Sequence, residues 1–286
     1  MTETFSVPVP DGRLHVVHSG CGPAVVLAHS GALDHTMWDE LAADLDGDHL
    51  VVRYDARSHG RSSTAHVDHH PAEDLVAVMD ALGIERAALV GSSMGAVTAA
   101  DVAWRRPERV AGLILLGGDV SEPRAHEDPF VARWHAAQEA AVAAGDVQGW
   151  VEALLRYGVD GPRRGPADVD PAVRERCRAM ATATVMAHHT ATGRQLWYDV
   201  RERVAEITAP TLVVTGELEI PWLHTVARRL EAAIPDVRRA EIPAVGHMMM
   251  TEAPAATARL VRGHLERLAV PGAPEARRYS SAGRSG

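Results

Sequence analysis

Lysine is absent from this 286-residue chain, and all 29 Lys+Arg positions are arginine. Schiff-base and lysine-nucleophile mechanisms are therefore excluded; the uniform arginine otherwise reads as genomic base composition. Cysteine is almost as scarce. Cys21 and Cys177 are the whole complement, too few for a disulfide framework or a cysteine-based metal site, so two isolated thiols are expected. No run approaches the roughly 18 apolar residues of a membrane span. An excess of positive charge is also missing: 29 basic against 38 acidic residues leave a net charge of -9. That is the wrong sign for a footprint on a phosphate backbone, so neither nucleic acid nor membrane is an expected partner. The opening residues Met1-Thr2-Glu3-Thr4-Phe5 lack the basic and apolar regions of a signal peptide, and a cytoplasmic location is the expectation. No His-Glu-x-x-His pattern occurs, and the neighbours in His69-His70 and His188-His189 cannot share a helix face. No metal and no cofactor are expected.

What is present is ordinary for a globular protein, 46% hydrophobic and 23% charged. Short Val/Leu/Ile runs alternate with helical patterns, which predicts an α/β fold with a mostly parallel, doubly wound sheet. Ser6–Pro10 and Arg13–Ser19 flank Asp11-Gly12, a dipeptide suited to a hairpin turn. A strand with no alternation, as expected for one buried on both faces, is read at Ala24–Ala28, and further strands are expected at Leu50–Tyr54, Ala87–Gly91, Val110–Leu116, Thr211–Thr215 and Arg238–Ile242. Between them, helices are expected at Met37–Leu45, Ala72–Leu82, Gly95–Arg105, Leu223–Ile234 and Ala255–Leu268. From about 121 to 206 the pattern is helical, as in Val131–Ala144, Gly149–Tyr157 and Pro171–Thr184, with no credible strand, predicting a lid inserted into a core made of 1–120 and 207–270. The stretch 271–286, rich in Gly, Ser, Pro and Arg, is expected to be disordered.

The Ala87–Val90 run leads straight into Gly91-Ser92-Ser93-Met94-Gly95 and then a helical pattern. This is the strand–turn–helix setting of a G-x-S-x-G nucleophile elbow, with Ser93 at its centre. The demand is steric, because neighbouring chain passes too close for side chains at Gly91 and Gly95. The following helix aims its positive end at developing negative charge. The competing reading, a phosphate loop, lacks the Gly-Lys-Ser/Thr ending.

With those residues in view, Pro23 to Leu268 resembles the α/β-hydrolase superfamily, in the branch of bacterial esterases, perhydrolases, C–C bond hydrolases and enol-lactonases. His29-Ser30-Gly31 with Met37-Trp38 resembles the oxyanion-loop block. Asp55 to Ser62 is similar to Asp-x-Arg-Gly-x-Gly-x-Ser, with Ser58 at a usual glycine. Ala209-Pro210-Thr211 through Gly216 and Val245-Gly246-His247 match the last two blocks.

The resemblance implies a general base at His247, after the last strand and before the final helix, in the order Ser…acid…His. His29 and His59, also in family blocks, are expected to brace loops. Glu219 stands at the Asp of the usual Gly-x-x-Asp pattern and is the expected acid; Asp119, after the Val110–Leu116 run, is its rival, since some members draw their acid from there. Oxyanion donors are expected from the N–H of Met94 and from Gly31 or Ser30. From the insertion and the His247 loop, Trp134, Trp150, Tyr157, Met180, Met186, His188, Trp197 and Met248 are candidates for the substrate pocket, with helix packing the equal alternative. Three functions stay open: hydrolysis of a small-molecule ester or lactone; the same triad used for C–C cleavage, perhydrolysis or cyclisation of a natural-product intermediate; and ligand binding without turnover.

Overall fold

The computed structural model describes residues 2–117, 120, 127–198 and 200–268. In these residues the apolar runs form one eight-stranded sheet, ordered β1-β2-β4-β3-β5-β6-β7-β8. β1 (Glu3–Val9) and β2 (Gly12–Ser19) make the expected hairpin around Asp11 and Gly12. β2 runs antiparallel to β4 (Leu50–Tyr54). Beyond it every pairing is parallel, through β3 (Ala24–Ala28), β5 (Ala87–Ser92), β6 (Val110–Leu116), β7 (Thr211–Gly216) and β8 (Val237–Ile242).

The central parallel strands β3, β5, β6 and β7 do not alternate in polarity because helices cover both faces of the sheet there. On β3, Val26 and Ala28 join one apolar cluster while Val25 and Leu27 join the other. Helices α1 (Asp39–Leu45), α2 (Pro71–Ala81) and α3 (Met94–Arg105) precede the insertion; α4 (Pro129–Ala144), α5 (Val147–Leu155) and α6 (Pro171–His188) lie within it. The chain then adds α7 (Pro221–Ala233), the single turn α8 (Met249–Glu252) and α9 (Pro254–Leu268). Leu75 and Val78 of α2, Ala99 and Val102 of α3 and Leu230 of α7 pack on one face. Leu41 and Leu45 of α1 with Val261 and Leu265 of α9 pack on the other.

Helix starts follow local chemistry. Proline occupies the first turn of α2, α4, α6 and α7, where a missing N–H costs nothing. Asp128, Asp146 and Asp170 cap α4, α5 and α6 through side-chain oxygens, each cap worth about 1 kcal/mol.

The insertion shares the core rather than resting on it. Val151 and Leu155 of α5 and Cys177, Met180 and Ala181 of α6 belong to the same cluster as α1 and α9. Met180 is therefore a packing residue and not a pocket wall. Cys177 is buried, which pushes its thiol up to about 11, and Cys21 is an exposed free thiol. No described helix is long and apolar enough to cross a membrane. The stretch 271–286 and Asp119 lie outside the described residues.

Candidate active site

Parallel strands leave their carboxyl ends along one edge, and loops from several of them converge there. β5 delivers Ser93 as the residue that caps α3, at φ 51° and ψ -115°. Its N–H donates to Leu116 O of β6 at 3.0 Å, fixing the turn to the neighbouring strand. The two glycines of the motif are required sterically. A Cβ on Gly91 would sit 2.2 Å from Gly95 O, and one on Gly95 would sit 2.0 Å from Ala28 O. The chain must cross itself this closely for α3 to start directly behind Ser93.

Two strands further along, the turn after β7 places Glu219 and the loop after β8 places His247. Glu219 is fully buried and His247 is 3% exposed. His247 Nδ1 stands 3.1 Å from each Glu219 carboxylate oxygen, a symmetric contact. Glu219 Oε1 also accepts the Ile220 N–H at 3.0 Å. Burial pulls the imidazole pKa down, but the charge and hydrogen bond of Glu219, with the charge of Glu252, outweigh it and hold it above the ordinary histidine value. The other ring nitrogen, Nε2, is buried and has no hydrogen-bond partner among the described residues. Glu217, by contrast, is exposed and its carboxylate accepts the Ala244 N–H at 2.8 Å.

Gly117 completes this pair and went unnoticed in the sequence, although a glycine directly after a strand is a visible signal. Its φ is +54°, and a Cβ there would meet His247 Nδ1 at 2.8 Å and Glu219 Oε2 at 3.0 Å. Gly117→Ala is expected to lower kcat by up to about 100-fold while leaving KM nearly unchanged, since displacing the pair by an ångström spoils alignment more than binding. Steady-state kinetics on a p-nitrophenyl ester checks it.

The loop after β3 forms the opposite wall. His29 Nδ1 donates to Ser30 O at 2.8 Å and its Nε2 accepts the Ala56 N–H at 2.9 Å, so it braces two loops as expected. Burial keeps its pKa below the ordinary value, consistent with the neutral ring this bonding requires. Ser30 reaches the cavity wall with both donors already engaged: its N–H points at Met37 Sδ at 3.3 Å and its hydroxyl at Ser92 Oγ at 2.8 Å. That removes Ser30 from the candidate oxyanion donors. Gly31 and Met94 face each other, the Gly31 Cβ position being 3.8 Å from Met94 Cβ. As the first residue of α3, Met94 has no intrahelical acceptor for its N–H.

A cavity of about 690 Å³ gathers these parts, lined by Ser93, Met94, Gly31, His247 and Met248 and, from the insertion, by Trp134, Trp150, Tyr157 and Trp197. Its size suits a small organic ligand. Besides Met180, two expected pocket residues do not reach it. Met186 is 59% exposed on the outer face of α6. His188 is buried elsewhere, bonding Thr64 Oγ1 at 2.8 Å and Gly60 O at 3.2 Å. In their place Gln138, Gln195, Tyr198 and Arg201 line the cavity. No motif in the sequence marked any of these four, because facing the cavity depends on packing partners distant in the chain.

Known proteins resemble this chain in sequence and in fold. A family model described as "Alpha/beta hydrolase family" matches residues 25–260. The chain belongs to the alpha/beta hydrolase family. This hydrolase is 30% identical over 266 residues to a Variovorax paradoxus protein named "Putative carbamate hydrolase RutD", spanning 88% of this chain and 95% of that one. It is 28% identical to the 3-oxoadipate enol-lactonase 1 of Acinetobacter baylyi, over 69% of this chain and 71% of the other. Among solved structures, Est816, titled an N-acyl homoserine lactone degrading enzyme, superposes with a TM-score of 0.73 at 25% identity, covering 91% of this chain and 99% of that one.

In this alpha/beta hydrolase the Asp55 block is a brace below the cavity. Asp55 Oδ1 accepts the His35 N–H and the His35 ring, each at 2.8 Å, and Oδ2 accepts the Arg61 N–H at 2.8 Å. Ser58, at the usual glycine position, adopts φ 60°, and its hydroxyl accepts the Ala65 N–H at 3.0 Å. That local bond offsets the roughly 1–2 kcal/mol that a left-handed conformation costs a residue with a Cβ. His15, His35 and Asp55 bring potential ligand atoms within 4.8 Å. Asp55 accepts three N–H bonds within this grouping, which ties its loop to His35 and Arg61.

Proposed function

We propose that this hydrolase cleaves a carboxylic ester or lactone through an acyl-enzyme on Ser93. One observation carries the reading: His247, paired on Nδ1 with buried Glu219 and unpartnered on Nε2, lines the same cavity as the strained Ser93. A serine hydroxyl needs such a base to become nucleophilic near neutral pH. His247 Nε2 takes the Ser93 proton as Oγ attacks the carbonyl carbon, and the carbonyl π electrons move onto oxygen. The N–H groups of Gly31 and Met94 stabilise that oxyanion, each worth about 3 kcal/mol in the transition state. The imidazolium, held in orientation by Glu219, then gives its proton to the leaving oxygen. Water repeats the sequence on the acyl-enzyme, releasing the acid and restoring Ser93.

The insertion acts in this reading as a lid, its tryptophans and Tyr157 enclosing an apolar acyl or alcohol group. Relatives named for lactones support the ester and lactone class. A second reading, carbamate hydrolysis by the same attack, is favoured by the relative that shares 30% identity over 88% of the chain.

A fluorophosphonate probe followed by peptide mapping is expected to label Ser93 alone among the serines. A panel of p-nitrophenyl esters, enol-lactones and aryl carbamates is then expected to show the highest kcat/KM on an ester or lactone. Carbamates leading the panel would select the second reading. An unlabelled Ser93 with no turnover on any member would leave a ligand-binding protein.

A further inference from the structure

The α5 helix does not end in an ordinary turn. It continues as a π-helical turn, Arg156–Asp160, a wide geometry that tends to occur at functional positions. This turn sets Tyr157 edge-on to His247, with ring centroids 5.8 Å apart at 70°. It also brings Gly158 against the His247 loop, where a Cβ would meet Met248 Cε at 2.9 Å.

Arg164 lies just beyond. Its Nη2 donates to Val159 O at 2.7 Å and its Nε to Asp160 O at 3.1 Å, so it grips the carbonyls of the π-turn. The same guanidinium forks onto Glu252 of α8, Nη1 to Oε2 at 2.5 Å and Nη2 to Oε1 at 3.2 Å. Glu252 Oε1 in turn accepts the Gly246 N–H at 3.2 Å, on the residue immediately before His247. The pair is enclosed, with side chains 11% and 9% exposed. Gly246 has to be glycine for the guanidinium to cross it, since a Cβ there would lie 2.3 Å from Arg164 Nη2.

We infer that Arg164 and Glu252 form a latch joining the helical insertion to the loop that carries His247, and that both are positioning residues for the reaction. The inference rests on the reading of His247 as general base. Arginine suits the task because a planar, permanently charged fork can hold a carboxylate and two carbonyls at once; a lysine ammonium has no such fixed geometry. The pocket wall at Tyr157 and the backbone at Gly246 therefore share one support. The charged and ionisable groups around His247 are Glu219 from the β7 turn, Glu252 from α8, and Tyr157 and Arg164 from the insertion, Arg164 lying against Gly246. The Glu252 charge is among the causes that hold the imidazole pKa up.

The test uses the full chain, p-nitrophenyl butyrate and the variants Arg164→Met, Arg164→Lys, Glu252→Gln, Arg164→Met/Glu252→Gln and His247→Ala. Arg164→Met is expected to lower kcat by about 10- to 100-fold with KM nearly unchanged, and Arg164→Lys to recover part of it. Glu252→Gln keeps the shape but removes the negative charge, so the acid limb of the pH–rate profile moves to lower pH. Arg164→Met removes the neighbouring cation, so that limb moves to higher pH. The double variant is expected to lose less than the product of the two single losses. The pH dependence of fluorophosphonate inactivation gives the same limb from competent molecules alone, whatever fraction of a variant folds. Variants that melt earlier but keep the wild-type kcat and both limbs would overturn the latch, leaving a brace for stability. Wild-type activity in His247→Ala would instead overturn the base assignment, and the latch with it.

Discussion

Ser93→Ala is expected to lower kcat on a p-nitrophenyl ester by about 10⁵- to 10⁶-fold while ligand binding persists. The change removes only Oγ. The cavity, the Glu219–His247 pair and the Gly31 and Met94 N–H groups remain, so product affinity, followed by quenching of the cavity tryptophans, should stay near wild type. Stability supplies a second readout. Ser93 is held at φ 51° in a sparsely populated region, at a cost of about 1–3 kcal/mol. Ser93→Gly is thus expected to be inactive yet to melt at a higher temperature, because glycine adopts that conformation with no Cβ penalty. A Ser93→Ala protein within tenfold of wild-type kcat would remove the acyl-enzyme from the account.

Glu219→Gln has the next largest expected effect, a fall in kcat of about 10⁴-fold. Two causes act together. The amide presents an N–H₂ where His247 Nδ1–H needs an acceptor, which favours the wrong tautomer, and no charge remains to stabilise the imidazolium. The pH sign follows from the same contact. Against the opposing effect of burial, Glu219 holds His247 above the ordinary histidine value, and the base is functional only when neutral. The wild-type acid limb should therefore lie above that value, and the small residual activity of Glu219→Gln should show a limb at lower pH. Glu219→Asp keeps the charge but withdraws it by one methylene from an Nδ1 now 3.1 Å from both oxygens, so a loss of about 10- to 100-fold is expected. Near-wild-type kcat in Glu219→Gln would transfer the acid's role to another carboxylate, with Asp119 first in line.

Much of the scaffold was legible because it rests on local rules. Asp11-Gly12 announced its hairpin, and Gly91 and Gly95 announced a crossing too tight for a Cβ. Met186 shows a signal that was present but unused. Cys177, Met180, Ala181, Thr184 and His188 are the buried positions of α6, at helical spacing. Position 186 lies on the opposite side of that helix, which the 3.6-residue period alone could have shown.

Ser30 and Arg164 show the other limit. That Ser30 spends its donors on Met37 and Ser92, or that Arg164 joins a π-turn to Glu252, depends on partners distant in the chain. The sequence by itself determined the order of strands and helices, the elbow at Ser93 and the chemical types available for a base and an acid, because these follow from sterics and periodicity within a few residues. Only the tertiary structure decided which side chains share the cavity, that Gly117 makes room for the Glu219–His247 pair, and how the insertion is tied to the His247 loop. Such contacts form across strands and layers, where spacing along the chain carries no information about distance.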